Sequence, residues 1–391
     1  MSTPDDPSRR IMHPLALNSF RLWAKLALDG GPIDSPRGML RAACITTLSP
    51  LTIPFRLWET WRYSKIVSRS PLQQPPIFIV GHWRTGTTYL HNLLSLDPAL
   101  AYVPTFQTLA PAACLVGQHT LRPLLAPMVP KKRHMDNMDL SLDLPQEEEV
   151  AISHLCPHSF YIGWYFPRRL KELFRRCVLL EGMTDQQLVE WRDAYQQILR
   201  KASYMNQGRR LVLKNPANTG RIPALLECFP GAKFIHIHRN PYHVYPSTLR
   251  FHRTTLDLVS LQRIAESEIN ENVLLFYCEM MTRFIQDRHL IPTHDFAEVS
   301  YDELISRPID TLARLYRELD LSGWDTAYPH IADYLTRKNG YEPNVFTMND
   351  ADATLIEKHW KFAIDEWGYS RPGQASKDIA AGIKQIAKAA L

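Results

Sequence analysis

Short apolar runs, each closed by a glycine or proline turn and followed by helix-spaced residues, recur along this chain. The first strong run is Pro76–Val80 (PIFIV), apolar and rich in β-branched residues, which predicts a strand buried on both faces. A Gly-Thr-Thr turn follows it, and then Leu90, Leu93 and Leu94 fall on one helical face. Arg209–Lys214 repeats the pattern, running through Asn215-Pro216 into a predicted helix, Thr219–Phe229, that stops at Pro230-Gly231. Lys233–His238 is a third strand, closed by Arg239-Asn240-Pro241. Helical spacing also runs through Thr184–Met205, Asp257–Asp287 and Ile309–Leu319, and Phe296–Ser300 reads as a further strand. Strands alternating with helices predict an α/β fold of three layers, a central, mostly parallel sheet flanked by helices.

The Pro-rich stretch Ser68–Pro76 (SRSPLQQPP) sets the best boundary. It divides an N-terminal helical and apolar segment, residues 1–70, from the main domain, residues 71–391. Within the first, Ala42–Phe55 carries no charge, with Arg41 and Arg56 at its edges and Trp58, Trp61 and Tyr63 just beyond. It is too short and too Pro-interrupted to span a bilayer. Two readings stay open, a buried packing segment and a peripheral membrane contact through residues 41–63.

Composition narrows the function without naming it. Of 391 residues 45% are hydrophobic and 22% charged, in the range of a globular chain with a sizeable core. The net charge of +5 suits an anionic ligand, but no basic run exceeds Lys131-Lys132-Arg133, so nucleic acid is not an expected partner. The six cysteines are scattered with no C-x-x-C pair, and MSTPDDPSRR has no apolar signal core. The expected place is the cytoplasm, with membrane association if the anchor reading holds.

Chemistry concentrates in Gly81-His82-Trp83-Arg84-Thr85-Gly86-Thr87-Thr88. Gly81 and Gly86 keep the spacing of the nucleotide pattern G-x4-G-K-S/T, so the unit is P-loop-like. Thr87 stands where that pattern has its lysine, and a cation, Arg84, sits inside the loop instead. A helix N-terminus there still presents free N–H groups to a phosphate, and Arg84 can fork onto its oxygens. A plain tight turn into a helix is the other reading of this loop.

The loop resembles that of the sulfotransferases that use 3′-phosphoadenosine 5′-phosphosulfate (PAPS). The resemblance implies that Arg84, Thr85, Gly86, Thr87 and Thr88 hold the 5′-phosphosulfate and that Tyr89 stacks on adenine. A second match supports it: the family reads the 3′-phosphate with an Arg at a strand end and a Ser eight residues on, and here Arg239-Asn240-Pro241 precedes Ser247. Lys214, at the end of its strand, resembles a lysine that some branches place near the sulfonate. Val299-Ser300-Tyr301-Asp302-Glu303-Leu304 through Pro308 looks like a structural element of the family. Coverage runs from about Pro76 to about Tyr369.

Transfer to a hydroxyl or amine needs a general base. The position where one branch carries its glutamate is Pro104–Gln107 here, without a carboxylate. Asp143-Leu144-Pro145-Gln146-Glu147-Glu148-Glu149 resembles the D-x-P-Q-E-D/E-E element of bacterial members. If a helix opens at Pro145, Glu147 and Glu149 point differently. The catalytic set is therefore Glu147, then Glu149, with Lys214 and Arg84 neutralising the leaving group and His134 as an outside candidate. Carboxylates in a first helical turn are also favoured by the helix dipole alone.

His236 and His238 form an H-x-H without convincing further ligands, and sulfuryl transfer needs no metal, so none is expected. The rivals are a P-loop kinase, which lacks its lysine and a magnesium-binding Asp after the third strand, and a non-catalytic nucleotide-binding or membrane scaffold. The acceptor is expected to be a lipidic, polyketide or glycan small molecule, walled by Phe160, Tyr161, Trp164, Tyr165, Phe166 and Tyr102–Phe106.

Overall fold

Ile77–Val80, all four buried, form the middle strand β1 of a five-stranded sheet in a computed structural model that describes residues 13–133, 138–337 and 349–372. The other strands are β2 (Leu100–Ala101), β3 (Arg210–Lys214), β4 (Lys233–His238) and β5 (Phe296–Ser300). Their order across the sheet is β2-β3-β1-β4-β5, and every pairing is parallel. β1, β3 and β4 are buried along most of their length because helices cover both faces, which is why β1 and the middle of β3 run apolar, while β4 carries His236 inside its buried run.

This order fixes where a ligand can sit. From β1 the chain crosses to the β2–β3 side, and only afterwards to the β4–β5 side. β1 is thus the point where the winding reverses, and the crevice beyond its carboxyl end is the natural binding position of such a sheet. Parallel pairing brings three strand ends to one edge: Val80, followed by Gly81; Lys214; and His238, followed by Arg239.

Local chemistry starts several helices. Thr184 and Gln187 form a reciprocal capping box on Asp185–Met205, and Asn240 caps Pro241–Val259 with Pro241 in its first turn. The Thr219–Phe229 helix needs correction, since Pro216–Gly220 is a 3-10 turn and the α-helix runs Ile222–Cys228. The helix expected over Asp257–Asp287 is two: Pro241–Val259 and Glu266–Asp287. The break is made by tertiary contacts that no local pattern carries. Leu261 N donates to Tyr165 O at 2.9 Å, and Gln262 Nε2 donates to Gly30 O at 2.8 Å and Pro32 O at 3.1 Å.

That break is a docking point for the N-terminal helices α1 (Phe20–Asp29), α2 (Pro36–Leu48) and α3 (Ile53–Ser68). Arg41 of α2 donates to the carbonyls of Asp257 and Ser260 at 2.8 and 2.7 Å, satisfying the end of the Pro241–Val259 helix. Gly38 has no room for a side chain, because a Cβ would stand 2.1 Å from Leu261 O. Leu22, Trp23, Leu26 and Ile45 belong to the same apolar core as β1 and the long helices. Among the described residues, no helix is long and apolar enough to cross a membrane.

Candidate active site

The β1 loop is built for close backbone approach. Gly86, at φ 101°, opens the following helix α4 (Thr87–Leu94), and a Cβ there would meet the Tyr301 ring at 2.4 Å. Arg84 also sits in the left-handed region, at φ 73°, a conformation a non-glycine residue adopts at a cost. Thr219 Oγ1 braces the loop from the neighbouring strand connection, accepting from Gly81 N at 2.8 Å and donating to Gly81 O at 3.1 Å. Thr85 Oγ1 donates to His82 O at 2.8 Å.

The two motifs that sequence separates by about 150 residues meet here. Arg84 Nε donates to Ser247 Oγ at 3.0 Å, and Arg239 Nη1 donates to Arg84 O at 3.4 Å. Arg239 lies over the Tyr301 ring, 4.2 Å from its centroid. Two guanidiniums, a hydroxyl and a helix N-terminus thus share one site at the carboxyl edge of the sheet. Tyr89 is half-buried on α4 and packs toward the apolar cluster formed by β1, β4 and β5.

The carboxylates separate sharply. The helix after Pro145 begins later than expected, at Glu148–Leu155 with Glu147 as N-cap, because Gln146 N donates to Val103 O and holds Pro145–Gln146 against the chain near β2. Glu147 then points into a cavity, where Lys214 Nζ and the Tyr161 hydroxyl both donate to its carboxylate. Glu149 points the other way and is fully buried. Its carboxylate receives Arg221 at 2.7 and 3.1 Å, Asn215 Nδ2 at 2.8 Å and Phe160 N at 2.8 Å. Burial raises its pKa, but Arg221 and these donors outweigh that and hold it below the ordinary value. Glu148, between them, is pushed up to about 8 by burial, with Tyr195 OH and Lys214 N as its donors at 3.3 Å each. Burial lowers the Lys214 pKa, opposed by Glu147. His134 lies outside the described residues.

The cavity, of about 300 Å³, opens beside Arg84, Thr87, Thr88 and Glu147. Of the expected wall, Tyr161, Trp164, Tyr165 and Thr105 line it. Phe160, Phe166, Phe106, Tyr102, Val103 and Pro104 do not, the first three being packed in apolar clusters. Residues that the sequence did not single out add to the wall, among them Leu17 from the N-terminal segment, Leu125, Met128 and Val129 before the carboxylate element, and Phe251 and Leu258 from the Pro241–Val259 helix. Arg133, noticed only as part of a basic run, also lines it and donates to Thr88 Oγ1 at 3.4 Å. Its proximity to the loop had no local signal, since the fold alone brings it there.

His236 and His238 have partners of another kind. His236 Nδ1 faces Glu298 at 2.7 Å, and His238 Nδ1 faces the Tyr369 hydroxyl at 2.7 Å with its ring stacked on Trp367.

Comparison with known proteins gives this geometry a family. Over 353 residues, 90% of each chain, the protein is 34% identical to omega-hydroxy-beta-dihydromenaquinone-9 sulfotransferase Stf3 of Mycobacterium bovis and, equally, to that of Mycobacterium tuberculosis. The crystal structure of sulfotransferase STF9 from Mycobacterium avium shares its fold with a TM-score of 0.66, 19% identity, and coverage of 95% of this chain and 98% of that one. Sulfotransferase STF1 from Mycobacterium tuberculosis H37Rv gives 0.58 at 21% identity, covering 81% and 86%. With a family model matching residues 75–326 as well, the chain belongs to the sulfotransferase family and is an enzyme of sulfuryl transfer.

Proposed function

We propose that the donor is PAPS and that the acceptor is the hydroxyl of a lipidic small molecule. The observation that carries the donor assignment is the contact of Arg84 with Ser247 at 3.0 Å, which joins the two phosphate-reading motifs into one site. In this reading Arg84, Thr85, Gly86, Thr87 and Thr88 hold the 5′-phosphosulfate and Arg239 with Ser247 the 3′-phosphate, while Tyr89 is the adenine-stacking candidate. The acceptor assignment is supported by the apolar wall of the cavity and by the relatives named for a hydroxylated dihydromenaquinone.

Glu147 is the general base. The acceptor oxygen attacks sulfur as its proton passes to the Glu147 carboxylate. The new S–O bond forms as the bond from sulfur to the bridging phosphate oxygen breaks, and the electron pair leaves with 3′-phosphoadenosine 5′-phosphate (PAP). Lys214 and Arg84 offset the charge that grows on that oxygen. Glu149 takes no proton here, since Arg221 closes it off from the cavity.

The test compares Glu147→Gln with the native enzyme in a labelled-donor assay, with PAP binding measured by calorimetry. Turnover is expected to fall by about 10²- to 10⁴-fold with PAP affinity kept within about threefold. A loss under tenfold puts the base elsewhere.

A further inference from the structure

Residues 36–68 contain Arg37, Arg41, Arg56, Arg62 and Lys65 and a single carboxylate, Glu59. Glu59 is buried against Lys201, while Arg37 and Arg41 are engaged by Asp257 and Ser260, so the solvent side of the α3 helix carries the cations Arg62 and Lys65 and no anion of its own. The same side is apolar. Ile53, Leu57 and Trp61 recur at four-residue steps on one face of α3, with Trp58 beside them, and all four are exposed, Trp61 by 81%. A helix that turns leucine and tryptophan outward, while burying a glutamate, is inverted relative to one that ends at water.

This face connects to the cavity. The start of α3 meets the short helix Leu121–Leu125 across a crevice lined by Thr52, Arg56, Leu121 and Leu17. Leu17 also lines the acceptor cavity, together with Leu125 and Met128, and Leu124 and Met128 are exposed. Apolar surface therefore leads from the outer face of α3 to the cavity rim.

We propose that the α3 face docks on an anionic lipid bilayer and that the acceptor passes from the bilayer into the cavity without entering bulk water. Indole rings and leucines suit the headgroup–acyl boundary, and arginine and lysine among them match anionic headgroups. A second copy of this chain would present the same cations to this face and would meet it with like charge, which is why a bilayer is the better occupant. The delivery step rests on the lipidic acceptor proposed above, whereas the docking does not.

The test is co-sedimentation of the full chain with vesicles of phosphatidylglycerol mixed equally with phosphatidylcholine, and with phosphatidylcholine alone. Binding is expected to be at least about tenfold stronger to the anionic vesicles. Leu57→Ser with Trp61→Ser, and separately Arg62→Glu with Lys65→Glu, are each expected to weaken it at least about tenfold while PAP binding stays unchanged. Equal binding by native and substituted proteins overturns the proposal, as does failure of the native chain to pellet. Ultracentrifugation showing a dimer that these substitutions dissolve overturns it as well. If docking fails while PAP binds and a detergent-dispersed lipid alcohol is sulfated, the docking proposal falls and the proposed function stands. If docking holds but no lipid alcohol is sulfated, the acceptor reading falls instead.

Discussion

Glu147, Glu148 and Glu149 are consecutive, yet the start of their helix sends each into a different environment. Glu147 meets Lys214 and Tyr161 at the cavity, Glu149 is locked on Arg221, and Glu148 is buried with Tyr195 and the Lys214 backbone. The middle residue has a stability consequence. Its folded pKa, pushed up to about 8 by burial, lies above the ordinary carboxylate value that applies in the unfolded chain. Between those values the folded state holds a proton that the unfolded state has lost, so stability falls as pH rises. The contribution is complete below the unfolded value and gone above about 8. Glu148→Gln keeps a neutral, hydrogen-bonding side chain and removes this dependence. Thermal melts from pH 5 to pH 9 are expected to drop less steeply in the variant, with the gap widening by at least roughly 2 °C, the shift of a ~2 kcal/mol effect in a chain of this length. Parallel curves would mean that Glu148 does not change its protonation across this range on folding.

At the scale of elements, the β1 loop, the Tyr301 helix start and the β4 exit act as one assembly. Tyr301 packs against Gly86 and carries Arg239 on its ring, while Arg239 donates back to the Arg84 carbonyl. Gly86→Ala places a methyl where the Tyr301 ring stands and demands φ 101° of an alanine. The substitution is expected to disturb both motifs proposed to read phosphate, lowering PAP affinity at least tenfold, about 1.4 kcal/mol, with the circular dichroism spectrum retained. Unchanged affinity would show that the loop relaxes without moving Arg239. This assembly was partly legible in sequence. β1 announces itself because burial on both faces leaves only apolar residues there, β3 and β4 through shorter apolar runs ending in Lys214 and His238, and glycines mark the loop where φ is left-handed at Gly81 and Gly86. That the Arg84 loop and the Arg239–Ser247 motif belong to one donor site was implied only by the family resemblance, whereas Arg221 gave no signal, since one arginine at a helix start looks alike whether solvated or buried. The helix break at Ser260–Ala265 was invisible because Gln262 and Leu261 find their partners more than ninety residues away, with no proline or glycine to mark the site.

At the scale of the molecule, a boundary near residue 70 divides the sequence more than it divides the packing. α1 and α2 contribute Leu22, Trp23, Leu26 and Ile45 to the core that holds the sheet, and Leu17 reaches the cavity. α3 contributes the buried pair of Glu59 with Lys201, in which Glu59 also accepts from Leu115 N at 2.8 Å and Val116 N at 3.2 Å. Lys201 belongs to the Asp185–Met205 helix, so this pair ties the N-terminal helices to the body through a charge that water cannot reach. Removing one partner of a buried pair costs more than the pair contributes, because the remaining charge stays unsolvated. Glu59→Ala is therefore expected to destabilise the entire protein by about 3–5 kcal/mol. Calorimetry of the native chain should show one cooperative transition, and the variant should lower that single transition without splitting it. A variant that melts in two steps, with PAP raising only the second, would show instead that the N-terminal helices unfold on their own and that the donor site survives without them.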